Sequence, residues 1–127
     1  MVCLDTTVII DFLRGQEQSA KLIDSCRSKG EVITTTVVSA YELLRNPNKK
    51  SRSDAEAFLS ELLIYGVTET SARLSAEIHR NLKSKGSKIN DSDIMITGIA
   101  MANNEQLVAS DKDFKSTGYD KLRIIEK

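Results

Sequence analysis

The sequence predicts one α/β domain spanning residues 1–127, with a mostly parallel central sheet flanked by helices. Three observations predict it. The chain has 127 residues, one domain's worth, and long enough to bury a core without staples. Short apolar or β-branched runs alternate with amphipathic stretches, the pattern of strand–helix–strand units. No internal repeat, low-complexity tract or long linker interrupts that alternation.

The elements follow in order. Val2-Cys3-Leu4 is a short β run ended by Asp5. Thr6 is placed to cap a short helix through Leu13, with Gly15 just past its end. Residues 16–29 read as a second helix, with Ala20, Ile23 and Cys26 on one face and Gly30 as its stop. Residues 31–35, EVITT, form a β-branched strand, and residues 37–45 a helix halted before Pro47. Ser53-Asp54-Ala55-Glu56 has the capping-box pattern and opens a helix over 53–65. Its face carries Ala55, Phe58, Leu59, Leu62 and Leu63, at helical spacing, with Gly66 closing it. Val67-Thr68 is read as a very short strand. Residues 71–85 form another helix, with Leu74, Ile78 and Leu82 stacked and Gly86 as the stop. Residues 93–103 are apolar nearly all round, which marks a helix buried against several neighbours, capped by Asp91 or Ser92. Leu107-Val108-Ala109 is a strand, and Leu122–Ile125 the last one.

Composition narrows the functional classes. Side-chain charge sums to zero, which argues against a protein that coats nucleic acid through its overall field. Local charge is another matter. Lys49, Lys50 and Arg52 form one basic stretch, and Arg80, Lys83, Lys85 and Lys88 a second. Their plain reading is a solvated loop and a helix end whose cations suit the dipole. Cys3 and Cys26 make no disulfide framework and are expected to be reduced core thiols. With one histidine, His79, a zinc site and a paired-histidine nuclease are excluded. Phosphate loops and the nucleophile elbow of hydrolases are missing. No apolar stretch reaches the roughly 20 residues of a membrane span. The N-terminus lacks a secretory pattern, so the protein is expected in the cytoplasm.

The informative feature is where the acids fall. Asp5 closes the first strand and Asp111 follows the Leu107–Ala109 strand. Glu42 lies in the helix after the second strand, and Asp93 in the first turn of the buried helix. Ligand sites in open parallel sheets gather outside the carboxyl ends of strands. Each acid also has a bland reading: Asp5 and Asp93 favour helix N-termini, Asp111 starts a turn, and Glu42 rides a wet face. Taken together they suggest a converging set. Converging carboxylates repel one another and lose hydration unless a cation compensates them. An all-oxygen acidic set suits Mg²⁺ or Mn²⁺, and such an ion supports phosphodiester hydrolysis.

The whole chain resembles a PIN domain, in particular the toxin nucleases of the VapBC type. VCLDTTVIIDFLRG is similar to that family's opening, ITTTVVSAYELLRN to its second block, and KINDSDIMITGIAMANNEQLVASDKDF to its third and fourth. The resemblance implies a Mg²⁺- or Mn²⁺-dependent endoribonuclease. Asp5 and Asp93 would be the principal ligands, with Glu42 and Asp111 completing the set directly or through water. Thr6 would lend its hydroxyl, and Asp91 and Asp113 are extra acids beside the expected ones, Asp91 read first as a cap. It also implies a homodimer, an RNA substrate and a small antitoxin partner, with the helices at 53–65 and 71–85 as contact candidates. Two positions depart from the family pattern: Ile96-Thr97-Gly98 replaces Ile-Ala-Ala, and Ala109 stands where Thr is frequent. Glycine there costs about 1 kcal/mol against alanine and permits close packing. The rival readings are a non-catalytic RNA- or protein-binding module on the same scaffold, and a phosphate-handling α/β domain. The latter would want paired acids after strand one, where this chain has Asp5-Thr6-Thr7.

Overall fold

The structure is a computed structural model and describes residues 1–126. Five parallel strands form one sheet in the order β3-β2-β1-β4-β5. They are β1 (Val2–Leu4), β2 (Ile33–Thr36), β3 (Leu63–Tyr65), β4 (Gln106–Ala109) and β5 (Leu122–Ile124). The helices are α1 (Thr6–Leu13), α2 (Glu17–Ser28), α3 (Val37–Leu44), α4 (Lys49–Leu59), α5 (Glu69–Ser84) and α6 (Asp91–Ala102), and a 3₁₀ turn spans Lys112–Thr117. Strand order reverses between β1 and β4, because the chain walks outward to β3 before crossing back.

Period-two alternation in the strands divides the core in two. Val2, Leu4 and Val108 pack with the apolar faces of α1 to α4, including Ile9, Ile23, Leu43 and Phe58. Cys3, Leu107 and Ala109 face the other way, onto Ile96 and Ala100 of α6 and onto Phe114. Helix α6 lies between the sheet and α5, which explains why its sequence is apolar on every side. A Cβ at Gly98 would stand 2.0 Å from Ser75 Oγ and 2.8 Å from the Ser71 carbonyl oxygen. The glycine is therefore what lets α5 approach α6 this closely. Both cysteines are buried free thiols, and burial pushes Cys3 up to about 12, so it is inert at neutral pH.

Several boundaries differ from expectation, each for a local reason. Asp5, not Thr6, caps α1: its Oδ1 accepts from the Val8 N–H at 2.9 Å, and Thr6 is already helical. Asn90, not Asp91 or Ser92, caps α6, its Oδ1 accepting from Asp93 N at 2.8 Å. Helix α4 starts four residues before Ser53, because Asn48 Oδ1 accepts from Ser51 N. It ends at Leu59, and Leu63-Ile64-Tyr65 pairs with β2 instead. A short apolar run satisfies either periodicity, and ladder hydrogen bonds decide for strand. Val67-Thr68 is therefore no strand, and Thr68 caps α5 in a capping box with Ser71. Strand β2 begins at Ile33 rather than Glu31 and runs on to Thr36, which caps α3. The apolar stripes of α4 and α5 are spent on the core, as Phe58, Leu59, Ile78 and Leu82 are all buried. The exposed apolar side chains lie elsewhere: Val37, Tyr41 and Leu44 on α3, Leu63, Ile64 and Val67 at the β3 edge, and Met1 and Val32 just before β1 and β2. Among the described residues, no helix is long and apolar enough to cross a membrane.

Candidate active site

The crevice at the carboxyl ends of β1 and β4 is where the strand order reverses, the usual ligand position in such a sheet. Asp5 follows β1 directly and is 2% exposed. Its backbone N–H donates to Val108 O at 3.0 Å, tying it to the neighbouring strand. Its Oδ1 is committed to capping α1. Asp111 follows β4 across the crevice, its Oδ1 accepting from Asp113 N at 2.8 Å. Asp93 projects from the first turn of α6 and is half-buried.

Glu42 reaches the same region from α3. The Thr6 hydroxyl donates to Glu42 Oε1 at 2.7 Å, and its oxygen lies 3.0 Å from Ser39 Oγ. Because Asp5 does the capping, the Thr6 side chain is free to hold Glu42 beside it. The other Glu42 oxygen stands 3.9 Å from Arg45, a stretched and partly exposed pair of small energetic consequence. Ser39 belongs to this arrangement and was not singled out by the sequence, because a serine in a helix gives no period or motif to notice.

Burial and the neighbouring acids both act on these carboxyls. Burial, followed by the charges of Asp93, Asp11 and Asp111, lifts the Asp5 carboxyl to about 7 against the favourable Val8 hydrogen bond. Burial, then Glu42 and Asp111, and further down Asp113, lifts Asp93 to about 6. Repulsion thus links Asp5 to Asp93 and Asp111, and Asp93 in turn to Glu42, Asp111 and Asp113. Asp91 stays exposed on the first turn of α6 and takes no principal part. Asp11, buried in α1, was not expected there, since it sits about two helical turns beyond the strand end. Among the described residues, no three His, Cys, Asp or Glu side chains are drawn together closely enough to hold a metal ion as they stand.

Comparison with known proteins decides the family. Residues 2–118 match the model of the PIN domain. The chain belongs to the PIN-domain family. Ribonuclease VapC19 of Mycobacterium tuberculosis is 30% identical over 110 residues, covering 87% of this chain and 88% of its own length. Among solved structures, VapBC2 from Rickettsia felis bound to a promoter DNA fragment shares the fold at TM-score 0.81 and 21% identity, over 100% of this chain and 99% of that one. VapBC-1 from nontypeable Haemophilus influenzae aligns at TM-score 0.83 and 19% identity, over 98% of both chains. Within this PIN domain the departures from the family pattern have structural partners. Thr97 Oγ1 donates back to Asp93 O at 2.9 Å, and Gly98 admits Ser75. Neither removes a carboxylate from the crevice.

Proposed function

We propose that this PIN-domain protein is a Mg²⁺- or Mn²⁺-dependent endoribonuclease, the toxin of a toxin–antitoxin pair acting in the cytoplasm. Asp5 and Asp93 would hold the ion, with Glu42 and Asp111 completing its surroundings directly or through water. One observation carries this reading. A carboxyl 2% exposed, at the strand-order reversal, is raised to about 7 by burial first and then by the charges of Asp93, Asp11 and Asp111, a desolvated acidic neighbourhood that a bound cation would relieve.

The donor set fits a hard dication, being all oxygen and mostly anionic. Mg²⁺ usually keeps several waters and takes one or two carboxylates plus substrate phosphate, so a preassembled cage of three carboxylates is not required. A bound ion supplies charge stabilisation at phosphorus and a water nucleophile at neutral pH. The chain's own groups do the positioning. Asp5 is fixed by its cap to Val8, Glu42 by Thr6, and Asp111 by the Asp113 N–H.

The two basic stretches support an RNA substrate. Lys49, Lys50 and Arg52 open α4, whose Ser51 lines one cavity with Glu42, and the second stretch runs from the last turn of α5 at Lys83 to Lys88, shortly before the first turn of α6 that carries Asp93. A chain neutral overall can then meet a phosphate backbone through local charge. An antitoxin partner is supported by the solved toxin–antitoxin complexes of like fold, and the exposed apolar positions of α3 and β3 offer surface for it and for a second copy of the chain.

The decisive assay is cleavage of single-stranded and structured RNA by purified protein. Cleavage with Mn²⁺ or Mg²⁺ that stops on adding EDTA, and returns with excess ion, is expected. Undiminished cleavage in EDTA would remove the metal. The second reading, a non-catalytic RNA- or protein-binding module, has on its side that the described residues form no ready-made three-carboxylate cage. It would be favoured by RNA binding without cleavage at any metal concentration.

A further inference from the structure

A cavity of about 120 Å³ opens between α1, α3 and α4. This is somewhat less than the engineered cavities of about 150 Å³ that take one benzene ring, so the space admits no more than a single planar ring, entering from its open side. Glu42 lines this cavity while accepting from Thr6 next to Asp5. Glu42 is thus the side chain that the cavity and the acidic group have in common.

Its walls have the polarity of a nucleobase site. Leu13 and Leu43 offer apolar faces, whereas Asn46, Ser51 and Asp54 stand at the rim. The Asn46 side-chain oxygen already accepts from Asn48 N at 2.9 Å, so the amide presents its N–H donors. The Ser51 backbone is used in capping α4, and its hydroxyl has no partner among the described residues. The Asp54 carboxylate has only a 3.6 Å pair with exposed Lys50. A donor, an acceptor and a hydroxyl around an apolar slot match the edge and faces of an unstacked base. Arg14 also lines the cavity, and Lys49, Lys50 and Arg52 lie on the first turn of the α4 wall, where phosphates on either side of such a base would meet them.

We infer that this cavity binds the base of a nucleotide close to the scissile phosphate, and that Asn46 and Asp54 set which base is accepted. The inference rests on the ribonuclease reading for its cut site, though not for base binding itself. Two measurements test it on the full-length protein. The first is cleavage, with Mn²⁺, of short single-stranded RNAs carrying each of the four bases at positions flanking the cut. The second is fluorescence anisotropy of non-cleavable 2′-O-methyl versions with metal-free protein.

Asn46→Asp keeps the acceptor for Asn48 N but replaces the donor with an acceptor. It should change or flatten the base preference in kcat/KM by about tenfold, the worth of a well-made base contact. Ser51→Phe, which fills the mouth from an exposed position, should weaken oligonucleotide binding, with thermal melts reporting that both variants are folded. Base preference and anisotropy unchanged in both variants would overturn the inference and leave the cavity to a protein side chain. If wild-type protein cleaves none of the RNAs, the nuclease reading fails, and the anisotropy arm alone decides on the base site.

Discussion

Asp93→Asn and Asp5→Asn are each expected to lower metal-dependent RNA cleavage by about 10²–10³-fold, since an ion stabilises transition-state charge by several kcal/mol and 1.36 kcal/mol is tenfold. The same Asp5→Asn change should make the metal-free protein more stable at neutral to alkaline pH. Asparagine retains the side-chain oxygen that accepts from Val8 N, so the α1 cap survives. What it removes is a carboxyl whose folded value, about 7, lies above its ordinary 3.8. The folded state holds that proton more tightly than the unfolded chain. Stability is therefore full below the ordinary value and declines as pH rises through the interval up to about 7. The loss amounts to about 4 kcal/mol if the whole shift is realised. A denaturant titration without metal at about pH 8 should thus find Asp5→Asn more stable than wild type, and less active. A variant both inactive and less stable would mean that Asp5 is compensated already, and that its charge is not waiting for a cation.

The second large effect lies at the other end of the sheet. Glu105, 1% exposed, sits just before β4. Its Oε1 accepts from Thr34 Oγ1 at 2.8 Å and its Oε2 from the Tyr65 hydroxyl at 3.2 Å, while its carbonyl accepts from the Tyr119 hydroxyl. One side chain thus ties β2, β3 and the start of β4 together beneath α6. Glu105→Ala should destabilise by roughly 2–4 kcal/mol, from lost packing and two weakened hydrogen bonds, or about 10 °C in melting temperature. Glu105→Gln keeps one acceptor and offers the Tyr65 oxygen a donor, so it should cost less than about 1 kcal/mol. If Gln proves as damaging as Ala, the network depends on the charge of Glu105 and not on its shape and hydrogen bonds. RNA cleavage by the Gln variant should be unchanged, because Glu105 is remote from the carboxyl ends of the strands.

These two carboxylates show what the sequence could and could not reveal. The places of Asp5, Asp93 and Asp111 were legible because strand ends and helix starts are marked by changes of periodicity, and acids at such changes stand out, whereas Glu42 lies inside α3 and was singled out by the packing expected of that helix against the sheet. Glu105 was invisible: an acid after the Asn103-Asn104 turn reads as solvated, and only the distant Thr34 and Tyr65 make its burial possible. The fold class followed from the alternation of apolar runs with amphipathic stretches. The caps were misplaced at Thr6, Ser53 and Asp91, because the true caps, Asp5, Asn48 and Asn90, are Asx residues lying before the helical pattern begins. The end of α4 was lost because Leu62 and Leu63 continue its helical spacing, yet the chain there is needed as an edge strand beside β2. The cavity between α1, α3 and α4 leaves no periodic trace, since its lining comes from three helices.

Calorimetric titration of the RNA-free protein with Mn²⁺, at about pH 5 and about pH 8 in buffers of different ionisation enthalpy, addresses the crevice most directly. Binding should be tighter at the higher pH, release protons from carboxyls raised to about 7 and about 6, and disappear in Asp93→Asn. Uptake of Mn²⁺ with the same affinity by wild type and Asp93→Asn, or no uptake at the higher pH, would contradict the assignment of this acidic group as a cation site.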